Sequence, residues 1–122
     1  MIRLANFTLH KMDDQVQKWS EMGFELDPEP RAPLVLLEDE SWTEERIVDA
    51  VREAIVQIKD EGFNAIIIGG LSNEMAYAWF FASSLGLRAI MAKTPRKRLP
   101  SGKPYFELVG YTEMFRPDEL TI

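Results

Sequence analysis

The sequence predicts an α/β domain on a mostly parallel sheet, and three observations carry that reading. Residues 65–92 run AIIIGGLSNEMAYAWFFASSLGLRAIMA. A short apolar run stops at a glycine pair, an almost wholly apolar segment ends at Gly86, and a second apolar run follows. That is strand, tight turn, buried helix and strand, the order of a parallel pair joined by a crossover helix. An amphipathic helix with a start signal precedes this unit. Across the chain, strand-length apolar runs alternate with helix-length segments.

The elements follow in order. Residues 2–9 read as a first strand, with Ile2, Leu4, Phe7 and Leu9 apolar. Residues 13–22 read as a short helix that Asp13 or Asp14 can cap. Met12, Val16 and Trp19 lie near one face, and Gly23 ends it. Residues 24–26 form a short strand. Residues 27–33, DPEPRAP, hold three prolines in seven and read as a loop. Residues 34–37 fit either a strand or the start of a helix.

Ser41-Trp42-Thr43-Glu44 has the spacing of a capping box. Ile47, Val51, Ile55 and Ile58 then recur at helical spacing, and Gly62 is the stop. The glycine-pair unit comes next, its helix at residues 75–85. Residues 94–104, TPRKRLPSGKP, read as a second loop, and residues 105–112 as a last strand. The order β-α-β-α-β-α-β-β predicts a three-layer sandwich of Rossmann or flavodoxin-like type. The short final β-β step makes that pair antiparallel at a sheet edge.

Length and composition bound the function. At 122 residues the chain reads as one domain, residues 1–122. Hydrophobic residues make up 46% and charged residues 28%, which argues against disorder. With no cysteine there is no disulfide, thiol nucleophile or thiolate metal site, and a single histidine speaks against zinc. No metal and no cofactor are expected. The opening MIRLANFTLH lacks the length and flanks of a signal peptide, and no apolar run approaches the roughly 18 residues of a membrane span. The expected setting is cytoplasmic. A net charge of −6 speaks against long nucleic acid. Yet residues 93–98, KTPRKR, carry four positive charges and no negative one, so a small polyanion could be held locally.

The candidate site follows from topology. Open α/β sheets bind ligands beyond the carboxyl ends of their strands, where helix N-termini offer free N–H groups to an anion. Gly69 and Gly70 permit close backbone approach there, and Leu71, Ser72 and Asn73 complete the turn. Two readings stand: a phosphate or ribose seat, or a tight turn in which Ser72 or Asn73 merely caps the helix. The turn matches neither a P-loop nor the dinucleotide fingerprint. Asn6, Thr8 and His10 alternate to one side at the end of the first strand and can converge on a ligand, with His10 able to move a proton near neutral pH. Lys93, Thr94 and Arg96 follow the fourth strand and suit phosphate. Lys97 and Arg98 read as a solvated basic loop. Charge at a helix N-terminus accounts for Asp39, Glu40, Glu44 and Glu45. Tyr77, Trp79, Phe80 and Phe81 mark a helix too apolar for a domain this small to cover, which predicts a symmetric homodimer.

This layout resembles the CARF superfamily, the Rossmann-like domains of type III CRISPR systems that bind cyclic oligoadenylates. In that group the loop after a central strand often reads like GGTKxM; here it reads Gly69-Gly70-Leu71-Ser72-Asn73-Glu74-Met75. The chain is similar to the small stand-alone members proposed as ring nucleases or sponges for that messenger. Their opening Asn-Phe-Ser/Thr matches Asn6-Phe7-Thr8, and their closing strand resembles residues 105–112. Leu71-Ser72-Asn73 departs from the frequent Lys or Thr of the motif. The resemblance implies a homodimer that binds cyclic oligoadenylate, cyclic tetraadenylate in particular, and opens it without metal. His10, Ser72 and Lys93 are then the catalytic candidates. Asn6, Thr8, Gly69, Gly70, Leu71, Ser72, Asn73, Thr94 and Arg96 are the ligand-binding ones. The alternatives are a non-catalytic sponge or sensor, or a generic small-nucleotide-binding α/β protein.

Overall fold

A computed structural model describes residues 1–33, 42–69 and 72–122, with Ser72 described by its backbone alone. The readings of residues 34–37, Asp39, Glu40, Ser41, Gly70 and Leu71, and of the Ser72 side chain, lie outside the described residues. Strands β1 (Ile2–Phe7), β2 (Phe24–Pro30), β3 (Ala65–Ile68) and β4 (Arg88–Lys93) alternate with helices α1 (Val16–Glu21), α2 (Glu44–Asp60) and α3 (Ser72–Ser84). Then come β5 (Arg96–Arg98), β6 (Pro104–Phe106) and β7 (Gly110–Glu113).

The sheet order is β2-β1-β3-β4-β7, parallel except for the antiparallel β4–β7 pair at one edge. This is the predicted α/β sandwich of Rossmann or flavodoxin-like type. The alternation of side chains along each strand divides the core in two. Ala5, Phe7, Ile66, Ile68 and Ala89 pack under Val51, Ile55 and Ile58 of α2 and Ala78 and Ala82 of α3. Leu4, Ile67, Ile90 and Leu108 pack under Trp19 of α1. Trp19 meets Phe24 edge-on at 5.6 Å, and its indole N–H donates to Gln15 Oε1 at 3.1 Å.

Several local expectations change. Helix α2 begins two residues later than the Ser41 spacing suggests: Thr43 is its N-cap, its hydroxyl accepting from the Arg46 N–H at 3.3 Å. Neither Asp13 nor Asp14 caps α1. Both lie in a 3-10 turn, Asp13–Gln15, that leads into it without a side-chain cap. Gly23 and Gly62 end their helices at φ +95 and +88, as their positions predict.

The proline stretch is strand, not loop, as far as Pro30. Strand β2 lies at the sheet edge, and its register against β1 jumps from Ala5–Asp27 to Asn6–Pro30. An edge strand with a bulge tolerates residues that cannot donate a ladder hydrogen bond. The basic loop at residues 94–104 is the other correction. Its two ends pair as the β5–β6 hairpin, and the single last strand predicted at residues 105–112 is two, β6 and β7.

Helix α3 buries its small residues, not its aromatics, against the sheet. Ala78 and Ala82 are buried, Tyr77, Trp79 and Phe81 flank them half-buried, and Phe80 is exposed. Among the described residues no helix is long and apolar enough to cross a membrane.

Candidate functional site at the carboxyl edge of the sheet

The chain runs from β1 outward to β2, then returns across β1 to build β3 and β4. The connection after β1 leaves toward the α1 face, and the one after β3 leaves toward the α2 and α3 face. Two diverging connections from neighbouring parallel strands open a crevice at their carboxyl ends. Residues 8–12 and the Gly69 turn flank it.

The β1 side is built from polar groups that satisfy one another. Asn6 is fully buried. Its amide donates to the His10 carbonyl at 2.7 Å and the Pro28 carbonyl at 3.0 Å. Its Oδ1 accepts the Thr8 hydroxyl at 2.6 Å, and Thr8 Oγ1 accepts the His10 N–H at 3.2 Å. The backbone of Arg31 and Ala32 donates to the carbonyls of Asn6 and Thr8. These bonds draw Asn6, Thr8 and His10 together, as the alternation predicts. They also commit the polar atoms of Asn6 and Thr8 to shaping the loop. The His10 side chain is exposed, and among the described residues its ring has no hydrogen-bond partner. Lys11 pairs with Glu29 at 3.3 Å and Asp13 at 3.6 Å. The hydrogen bond to Glu29 and the neighbouring carboxylates raise its pKa above the ordinary 10.5.

Gly69 lies directly against this loop, since a Cβ added to it would come 3.3 Å from Thr8 Cγ2. Ser72 opens α3 beyond it. Asn73 points elsewhere: its amide donates to Glu44 Oε1 of α2 at 3.4 Å and its Oδ1 accepts the Glu74 N–H at 3.1 Å. Tyr77 also donates to Glu44, which raises the phenol pKa above the ordinary 10.0. Asn73 thus joins α3 to α2. On the far side of β3, Lys93 ends β4, Thr94 is half-buried and Arg96 opens β5. Neither Lys93 nor Arg96 makes an ion pair with a described residue.

Of the predicted residues, those at the strand ends share one edge of the sheet, with β3 between the Asn6 end of β1 and the Lys93 end of β4, whereas Asn73 turns toward α2. Ile67 aligns with Asn6 on one side and Ile90 on the other. Lys93 stands three residues beyond that level. What this edge can do chemically is receive an anion: it offers the start of α3 and, at the end of β4, the uncompensated Lys93. Among the described residues no group of three or more His, Asp or Glu side chains could hold a metal ion.

One buried group escaped the sequence reading. Glu74, in the first turn of α3, is 8% exposed, and its Oε2 is buried without a hydrogen-bond partner. Its signal was spacing. Glu74 stands four residues before Ala78 and eight before Ala82, on the sheet-facing stripe of the helix.

No protein-family model matches the chain, and no curated protein matches it either.

Proposed function

We propose that the protein binds a small cyclic oligonucleotide, cyclic tetraadenylate in particular, at the carboxyl edge between β1 and β3. The single observation that supports this reading is the contact of Thr8 with Gly69 at the divergence of the two connections. In this reading the start of α3 lies on one side of the crevice, and Lys93, at the end of β4, supplies the positive charge. The compound's identity rests on the resemblance of Asn6-Phe7-Thr8 and the Gly69–Met75 stretch to the CARF superfamily. A cyclic tetraadenylate contains a two-fold axis, so a homodimer could present two copies of one rim to it. Such a messenger would be met in the cytoplasm, in type III CRISPR signalling.

Ring opening in this reading uses the ligand's own ribose. The 2′-oxygen bonds to the adjacent phosphorus, the P–O5′ bond breaks, and the proton lost by the 2′-hydroxyl is matched by one gained at the 5′-oxygen. The rim contributes position, and Lys93 and backbone N–H groups face the developing negative charge. The exposed imidazole of His10 is the group able to move the proton. A second reading is favoured by the commitment of Asn6 and Thr8 to the loop. The protein then sequesters the messenger without cutting it.

Titration calorimetry with cyclic tetraadenylate, and chromatography after incubation in EDTA, test both. Linear products establish cleavage. Tight binding with unchanged ligand at stoichiometric protein selects sequestration. Absence of any heat of binding rejects both. Exchanging Ser72 or Lys93 for Ala should weaken binding with little loss of thermal stability.

A further inference from the structure

We propose that the β5–β6 hairpin is a binding arm for a short single strand of nucleic acid, holding phosphates with Arg96 and Arg98 and a base on Phe106. The inference goes beyond the cyclic ligand at the β1–β3 crevice and does not depend on it.

The register of the arm carries the argument. Arg96 stands opposite Phe106, Lys97 opposite Tyr105, and Arg98 opposite Pro104. Residues opposed in an antiparallel pair share a face, and the faces alternate along the strand. Arg96, Arg98 and Phe106 therefore share one face, and Lys97 and Tyr105 the other. The two faces differ in charge. Lys97 is neutralised by Glu107 at 2.6 Å, and that hydrogen bond raises the lysine pKa. Arg96 has no acidic partner among the described residues, and Arg98 donates only to the Gly102 carbonyl at 3.0 Å.

The apolar half of the face is as unusual as the charged half. Phe106 is 68% exposed and borders an open groove of about 290 Å³, whose other lining residues are Asp14, Gln15, Lys18, Glu107 and Leu108. All six strand residues of the arm are exposed. A two-stranded hairpin is marginal alone. This one is anchored by Leu108, buried beneath α1, and closed by Gly102 at φ +88.

Charge chooses the occupant. Residues 93–106 hold five basic side chains and no acidic one, in a chain of net charge −6. Guanidiniums beside an exposed ring are the pairing that binds single strands: the cations follow the backbone, and the ring offers a face to an unpaired base. The acidic remainder of the molecule limits the contact to a few nucleotides and disfavours long duplex.

The test is fluorescence anisotropy with a labelled six-nucleotide single-stranded RNA, at several salt concentrations and with polyphosphate as competitor. Phe106→Ala should weaken binding about 5- to 150-fold, the range for loss of one stacked base. Arg98→Gln should flatten the log-affinity against log-salt slope by about 0.7. Lys97→Gln, on the neutralised face, should leave affinity unchanged. All three positions are exposed, and thermal melts confirm that the variants fold. The proposal is overturned if the wild type binds no RNA at low salt. It is equally overturned if polyphosphate displaces the RNA at equal phosphate while Phe106→Ala binds normally. A third contrary result is that Phe106→Ala and Arg98→Gln split a wild-type dimer without altering RNA affinity, which makes a second copy the occupant. Cyclic tetraadenylate assayed in parallel separates this outcome from that of the crevice.

Discussion

The methyl group of Thr8 lies against the α-carbon of Gly69, so close that a Cβ there would sit 3.3 Å from Thr8 Cγ2. This contact joins the two connections that diverge from β1 and β3. Gly69→Ala should therefore lower stability by about 1 kcal/mol, the mild end of overpacking. Thr8→Ser keeps the hydroxyl and removes the methyl. In the double variant the loss should shrink, and the coupling from urea unfolding of all four proteins measures the contact. Strict additivity would place the two residues out of contact.

Asn6 should behave as a structural residue before it behaves as a ligand contact. Asn6→Ala strands the Pro28 and His10 carbonyls and the Thr8 hydroxyl. A buried group left without a partner costs about 1–3 kcal/mol, so a loss of about 3 kcal/mol is expected in denaturant unfolding. Asn6→Asp should be no better, because it aims an acceptor at two carbonyls. A variant of unchanged stability would remove the network from the account of the site.

Asp27 makes stability depend on acid. Burial works against its charge, but the Glu29 N–H at 3.1 Å, the Arg31 guanidinium at 3.0 Å and the charge of Arg3 outweigh it. The carboxyl is held below its ordinary 3.8. The folded state then binds fewer protons than the unfolded chain in that region. The contribution is present above the unfolded value, and it is lost as pH falls through the folded one. Asp27→Asn should be less stable than wild type at pH 7, and the difference should close as pH falls below the ordinary carboxyl value of 3.8. Melts across that range check the sign.

Glu74 carries a carboxylate oxygen buried without a partner. The N-terminal end of α3 offsets part of that cost. A buried polar atom left without a partner costs about 1–3 kcal/mol, and an apolar side chain of similar volume removes that cost. Glu74→Met should raise the melting temperature by a few degrees, equivalent to about 1 kcal/mol for a domain of this size. A fall would show that the charge is satisfied by the helix end.

The glycines show how local signals were legible. Gly23 and Gly62 follow apolar periodic segments, and both adopt the positive φ that ends a helix. The apolar run Ala65–Ile68 and the stripe of Val51, Ile55 and Ile58 are buried as their patterns require. The prolines of β2 and the basic segment after β4 were misread for one reason. Their strand character comes from partners, β1 for one and residues 104–106 for the other, and composition favours a loop in both. Rim residues could be chosen by sequence, but whether a polar atom stays free could not. The amide of Asn6 is spent on Pro28, 22 residues away.

Periodicity, glycine placement and the strand-turn-helix order determined the α/β class, the helix stops and the parallel core, because these depend on neighbours within a turn or two of chain. The tertiary structure decided which side chains are consumed inside the fold and which still face solvent. It turned the Asn6–Thr8 pair inward, hid Glu74 beneath α3, and left Lys93, Arg96 and Phe106 outward. Hydrogen-bond partners and burial are set by segments that meet only once the sheet has formed, and no spacing along the chain encodes them.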